Sequence, residues 1–247
     1  GANTTGVNNV AVGANALDAA TTANNNTAIG MHAATKITTG NSNTGVGSYC
    51  LEENLTGINN VAIGTSALNK TTSNNNTAIG TLALYLNTTG ADNVAVGKDA
   101  LTANTTGQSN TAAGYAALDA NTTGNDNVAY GRDALGKNTT ASENVAVGRA
   151  SLGDNSTGTA NTALGKSALG GNTTANYNTA VGYHALIANT TASNNTAVGS
   201  FALSSNTTGA GNTAVGDNAL DANTTGGTCT AVGTDALKRN TTGHDNT

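Results

Sequence analysis

Fourteen glycines, each behind a short apolar run, pace this chain from Gly13 to Gly233. Every step between neighbours is 17 residues, except Gly64 to Gly80, which is 16. A fixed period that fills a whole chain is the mark of a repeat architecture, in which one small unit stacks on copies of itself. The unit reads Asn-Thr-Ala-Val-Gly-x-x-Ala-Leu-x-x-Asn-Thr-Thr-Gly-x-x, and its positions are numbered here as columns 1 to 17, with the pacing glycine in column 5. The expected organisation is a single array over 1–247 of about fourteen and a half units, without a linker. The pattern is already running at residue 1 and still running at residue 247, so the array reads as a segment of a longer fibre.

Several columns hardly vary. Column 1 is Asn in thirteen of fourteen units, as in Asn9 and Asn93, and is broken only by Cys229. Column 3 is Ala in thirteen, as in Ala95, and column 9 is Leu in thirteen, as in Leu17 and Leu101. Column 14 reads Thr throughout, as in Thr106, when the missing residue of the short unit is placed between Leu68 and Thr71. The nine basic and fourteen acidic residues avoid all of these columns. They gather in columns 6, 7, 10, 11 and 17, with Lys70 in the short unit. An unpaired charge is costly to bury, so those columns face water.

Seventeen residues are too few for a two-helix repeat but suit one coil of a solenoid built from short strands. The fold class expected is all-β, a parallel β-solenoid or β-roll of 17-residue coils. Columns 1 to 5 read as one strand, since β-branched residues alternate with Ala. Columns 12 to 14 read as a second strand, and the Ala-Leu of columns 8 and 9 as either a connecting strand or half a helical turn. Stacked asparagines can hydrogen-bond from coil to coil. The sizeable apolar residues are those of column 4, such as Val96, and the leucines of column 9, so both columns are read as core. By the same reading Ala113 and Tyr130, one unit apart in column 4, stack inside, with the small residue making room for the large one. Column 3 would then turn its alanines outward, towards a close second chain. A parallel homotrimer would cover both faces of the strand, and a monomeric solenoid is the alternative.

The runs Asn9 to Gly13, Asn60 to Gly64, Asn93 to Gly97 and Asn144 to Gly148 read Asn-Val-Ala-(Val/Ile)-Gly. They resemble the head repeat of trimeric autotransporter adhesins of the Yersinia adhesin type. The full 17-residue form is similar to repeat arrays of bacteriophage tail fibres and large bacterial surface proteins. The resemblance implies a trimeric, left-handed parallel β-roll on a cell surface or virion that touches host matrix or other cells. The period of 17 is longer than that of the adhesin heads.

The sequence offers no chemistry. His32, His184 and His244 lie in variable columns, many coils apart, without the spacing of a catalytic or zinc cluster. No aspartate column repeats as a calcium ladder would require, and no glycine-rich phosphate loop opens a helix. No metal and no cofactor is expected, and the chain is not expected to be an enzyme. A pI near 4.9 argues against nucleic acid, and no apolar run approaches the ~18 residues of a membrane-spanning helix. Cys50 and Cys229 stand in different columns of distant units, so they are not expected to pair. Cys50, in an alanine column, reads as a small core residue.

Asn-Thr-Thr recurs, and Asn87, Asn104, Asn121 and Asn138 are each formal N-glycosylation acceptors. Two readings stand: a structural Asn turn followed by β-favouring Thr, or a sugar on each coil of one face. The Thr columns also raise an ice-binding solenoid, although columns 13 and 14 are neighbours and would point opposite ways in a strand. The expected function is structural. The chain would be an extracellular fibre or adhesin shaft that self-associates and displays a binding tip. The alternative is a direct adhesive surface for a host glycan or protein on columns 6, 7, 10 and 11. Tyr49, Tyr115, Tyr183 and Phe201 are scattered there, whereas a real site should cluster on neighbouring coils.

Overall fold

A computed structural model describes residues 3–247 and forms two compact units, one ending at Asn125 and the other Asp126–Thr247. The first holds β1 (Val10–Val12), β2 (Thr27–Ile29), β3 (Thr44–Val46), β4 (Val61–Ile63), β5 (Thr77–Ile79), β6 (Val94–Val96) and β7 (Thr111–Ala113). The second holds β8 (Val128–Tyr130), β9 (Val145–Val147), β10 (Thr162–Leu164), β11 (Thr179–Val181), β12 (Thr196–Val198), β13 (Thr213–Val215) and β14 (Thr230–Val232). Within each unit every strand pairs in parallel with the strand of the next coil, column on column, as in Val94↔Thr111 and Val145↔Thr162. Each unit is therefore a parallel β-solenoid with one strand per coil, and the described residues contain no helix.

The coil beginning at Asn93 shows how 17 residues close. Columns 2 to 4 are the strand. Columns 5 to 12 make two hydrogen-bonded turns, with Ala100 N–H on the Gly97 carbonyl (3.3 Å) and Asn104 N–H on the Leu101 carbonyl (3.1 Å). The expected second strand over columns 12 to 14 is absent; the chain bends there instead. Its backbone still reaches the next coil, since Thr105 N–H donates to the Thr122 carbonyl at 2.9 Å. One strand suffices because the corners are made by left-handed residues. Columns 7, 9 and 17 have positive φ, as in Asp99 (60°), Leu101 (51°) and Ser109 (56°). For leucine this conformation costs ~1–2 kcal/mol. Full burial of the same side chain returns ~1.5–3 kcal/mol, and Leu101 is buried completely. Columns 7 and 9 contain no Val, Ile or Thr, the side chains that tolerate positive φ worst.

The inside of the coil is not where residue size suggests. The strand is three residues long, and its middle one points in: Ala95, Ala146 and their equivalents are fully buried. Columns 2 and 4 point out, with Val94 at 37% and Val96 at 39% exposure. Tyr130 is 61% exposed and Ala113 is half-buried, so the expected stacking of Tyr130 inside the core is overturned, and column 4 is not a core column. Column 3 is core and faces the chain's own coil, not a second chain. The physical reason is width. The interior is filled by the alanines of columns 3 and 8, the leucines of column 9 and two rows of asparagine, which leaves no room for Val or Tyr.

Those asparagines are the second half of the core. Asn93 N–H donates to Asn76 Oδ1 (3.0 Å), and Asn93 Nδ2 donates to the same oxygen (3.2 Å) and to the Gly107 carbonyl (2.9 Å). Asn104, in column 12, donates through Nδ2 to Asn87 Oδ1 (2.8 Å) and to the Gly107 carbonyl (3.0 Å). The two rows thus meet on one carbonyl in each coil. The second unit repeats this, with Asn144 and Asn155 both donating to the Gly158 carbonyl at 2.9 Å. Among the described residues no buried side-chain nitrogen or oxygen lacks a partner.

Departures from the pattern are compensated locally. The short unit loses column 14, between Thr72 and Ser73, and not a residue between Leu68 and Thr71 as the sequence suggests. Thr72 N–H still reaches the Thr88 carbonyl (2.9 Å), and Ser73 takes the column 15 role by receiving Asn60 Nδ2 on its carbonyl (2.8 Å). The strands stay in register, Val61↔Thr77, as expected. Ala34 and Ile37 exchange small for large within one coil, and both are buried. Gly45 replaces the column 3 alanine in the coil whose column 8 holds Cys50, and a Cβ on Gly45 would lie 3.0 Å from Cys50 Sγ.

Two predictions follow from this packing. Gly97 has φ +133°, and a Cβ there would lie 2.4 Å from the Gly114 carbonyl oxygen, whereas Gly233 has φ +124° and nothing within 4 Å. Gly97→Ala is expected to destabilise by more than about 3 kcal/mol, and Gly233→Ala by about 1–3 kcal/mol, from the backbone alone; urea midpoints of the two variants check the order. Gly45→Ala should cost about 1–3 kcal/mol by overpacking. Adding Cys50→Ala should remove most of that cost, and a double-mutant cycle measures the coupling.

Candidate binding surface

Residues that could meet a partner lie in the outward columns, because columns 1, 3, 5, 8, 9 and 12 are spent on the coil. Asn9 and Asn93 belong to the first asparagine row; Asn9 Oδ1 accepts the Asn26 N–H at 2.9 Å. Gly13 and Gly97 are column 5 corners, and Leu17 and Leu101 are buried column 9 leucines. Thr106 is exposed at the bend. None of these residues forms a pocket with another.

The Asn-Thr-Thr asparagines have a structural place. Asn87, Asn104, Asn121 and Asn138 are fully buried. Each donates through Nδ2 to the column 15 carbonyl of its own coil, at 2.8 to 3.0 Å. The nitrogen that would carry a sugar is thus inside, and glycosylation of these sites is incompatible with the folded coil. The Thr columns divide likewise. Column 13 hydroxyls bind backbone, as Thr105 Oγ1 does on the Thr122 carbonyl (2.9 Å) and Thr173 Oγ1 on the Thr190 carbonyl (3.0 Å). Column 14 faces water, and column 13 is exposed in some coils, as at Thr88 and Thr139.

Several charges on the outward columns pair along or within coils: Lys36 with Glu53 (3.4 Å), Lys98 with Asp99 (3.5 Å), Arg132 with Asp133 (3.0 Å), Lys137 with Asp154 (2.6 Å) and Lys238 with Asp235 (2.8 Å). The Lys238 ammonium holds the Asp235 carboxyl below its ordinary value. These pairs are exposed to water and salt, so they add little to stability. Among the described residues no three His, Cys, Asp or Glu side chains lie close enough to hold a metal ion.

The aromatic residues are less scattered than the sequence suggests. His32 stacks on Tyr49, with ring centres 5.1 Å apart. In the second unit Tyr183 stacks on His184 at 3.9 Å, and Phe201, one coil further, meets both edge-on at 5.3 and 5.5 Å. Lys166 Nζ lies over the Tyr183 ring, 5.3 Å from its centre. Burial first, and then the Lys166 charge, hold the His184 imidazole below its ordinary pKa. A groove of about 370 Å³ runs over Ala150, Gly153, Asp154, Ser167, Gly170, Gly171 and Ile187 in the same unit. A larger hollow of about 840 Å³ lies at the last coil, against Leu237, Lys238 and Asn246. The signal for the aromatic group was present in the sequence, since Tyr183 in column 6 and Phe201 in column 7 stand in successive coils.

No protein-family model matches the chain, and no curated protein sequence matches it. The fold and the surface therefore carry the functional reading by themselves.

Both cysteines are free and buried, and burial pushes the Cys50 thiol up to about 11. The thiolate is the reactive form. A disulfide reagent at pH 8 is expected to label neither cysteine in the native chain and both after unfolding in denaturant. Labelling of Cys50 at native conditions would contradict the packing around Gly45.

Proposed function

We propose that this chain is a shaft segment of an extracellular fibre or adhesin, on a cell surface or virion, which self-associates and holds a binding tip away from its base. One observation carries the reading: the outer face of the parallel sheet carries no charge, with Val or Thr in column 2 and a mostly aliphatic column 4 that is largely exposed. Columns 2 and 4 hold only Val, Ile, Leu, Thr, Ala and Tyr, with no charge in any coil. Leu164 is 46% exposed and Val145 37%. Parallel sheets are normally covered on both faces, and a continuous apolar face marks an association surface.

The partner that fits best is another copy of the same chain. A partner with the same repeat brings an equally uncharged, equally flat face, coil against coil. Three copies in parallel around one axis would cover all three faces at once, in line with the resemblance to trimeric adhesin heads. The contact would use the valines and isoleucines of columns 2 and 4, not the alanines of column 3. The mechanism is mechanical: each coil is hydrogen-bonded to its neighbour, so stability grows with coil number. A direct adhesive surface on the variable columns is the second reading, favoured by the Tyr183–His184–Phe201 group. A shaft and a side-on binding surface are compatible.

Sedimentation measures this directly. The chain is expected to behave as a multiple of 24.0 kDa, with three copies as the leading expectation. Val96→Lys combined with Val198→Lys, one in each unit and both on the outer face, is expected to reduce the mass to one copy with the circular dichroism of the solenoid unchanged. A native chain that stays at 24.0 kDa at high concentration would refute self-association.

A further inference from the structure

We infer that the two edges of the outer strand face are complementary in charge, coil by coil, so that a second copy of this chain docks parallel and in register, with column 6 of one copy against column 17 of the next. This rests on the self-association proposed above and adds what sets its direction.

Column 17 precedes the strand and column 6 follows it, so the two columns border the uncharged face of columns 2 and 4. In the first unit Asp92 and Lys98 stand on the two edges of β6. In the second, Asp126 and Arg132 flank β8, and Glu143 and Arg149 flank β9. All six residues are exposed. The remaining column 17 acid, Asp245, has no column 6 after it within the sequence, and no column 17 residue is basic. Each edge therefore has its own sign. The in-register pairing Val128↔Val145 keeps each edge in line, Asp126 next to Glu143 and Arg132 next to Arg149.

The members of a pair cannot meet within one chain. They stand six residues apart across an extended strand, up to ~20 Å, whereas an ion pair needs roughly 4 Å. Among the described residues Asp126, Glu143 and Arg149 make no ion pair. Lys98 and Arg132 lean on the column 7 carboxylates beside them, Asp99 at 3.5 Å and Asp133 at 3.0 Å. Side chains this long and exposed can bridge such a carboxylate and one on a neighbouring chain.

Symmetry supplies the missing partner. An axis parallel to the solenoid, two-fold or three-fold, turns the column 6 edge of one copy to the column 17 edge of the next at the same height, and acid meets base. A two-fold axis across the solenoid makes the copies antiparallel and sets like edge on like edge, which charge repulsion opposes. A slip of one coil sets Asp92 against Thr81 or Tyr115 in place of Lys98. The same matching recurs without charge around β11, where Tyr177 in column 17 and Tyr183 in column 6 are 64% and 42% exposed. Lys166, whose coil has Ala160 on its other edge, lies over the Tyr183 ring at 5.3 Å.

The test follows the full chain by sedimentation at low salt, with circular dichroism as the check of fold. Arg132→Glu with Arg149→Glu makes both edges of the second unit acidic and is expected to raise the association midpoint by about tenfold or more. Asp126→Lys with Glu143→Lys makes both edges basic and should do the same. All four substitutions in one chain make the edges opposite again, and the native midpoint should return. Glu143→Cys with Arg149→Cys should join chains covalently under a mild oxidant, and Arg149→Cys alone should not. A native chain that stays at one copy, 24.0 kDa, overturns this inference together with the self-association beneath it. A native assembly overturns this inference alone if either charge-reversed pair leaves the midpoint unchanged, if the four-site chain does not recover it, or if Arg149→Cys alone links chains.

Discussion

The two rows of buried asparagine hold this structure together. A coil of 17 residues with one short strand cannot satisfy its inner backbone groups through sheet pairing alone. The amides of columns 1 and 12 do the remainder, each bonding the coil above or below and both meeting on the column 15 carbonyl, as Asn93 and Asn104 do at Gly107. A buried amide without partners would cost ~1–3 kcal/mol, so the rows work only if every coil repeats the same geometry. The repeat is therefore strict in the columns that carry these bonds and loose elsewhere. Where the row is broken at Thr71, its hydroxyl and that of Ser73 take over, receiving Asn87 Nδ2 at 3.3 and 3.2 Å.

From this narrow, amide-filled interior follows the distribution of the other residues. Only Ala fits the inward position of the strand, and one extra atom in column 8, as in Cys50, coincides with Gly at position 45. Larger β-branched residues are expelled to the outer face of the sheet. The absence of proline has the same origin: backbone N–H groups throughout the coil donate either within a turn or to the adjacent coil, and proline has none to give.

A surface so made separates two tasks. The face of columns 2 and 4 is uncharged in every coil, which is the ground for the proposed contact between copies. Columns 6, 10 and 11 vary from coil to coil, and column 7 varies among residues other than Val, Ile and Thr, so local groupings such as Lys166, Tyr183 and Phe201 stand on a few coils only.

The amino-acid sequence alone determined the coil length, the parallel in-register stacking, the asparagine rows, the column 5 corners and the columns that face water. Each of these recurs in nearly every coil, and a constraint that recurs so often is visible as a fixed column. Left-handed corners at columns 7 and 9 were also written there, in the absence of Val, Ile and Thr. Only the tertiary structure decided which side of the strand is inside, because hydrophobicity ranks Val above Ala while the width of the coil ranks them the other way. It also placed the deletion in column 14, which hydrogen bonds locate and alignment of similar Thr residues does not. Finally, it joined Tyr183 to Phe201 and opened the groove over Gly153 and Gly170, since proximity across columns depends on how the turn bends and not on the period.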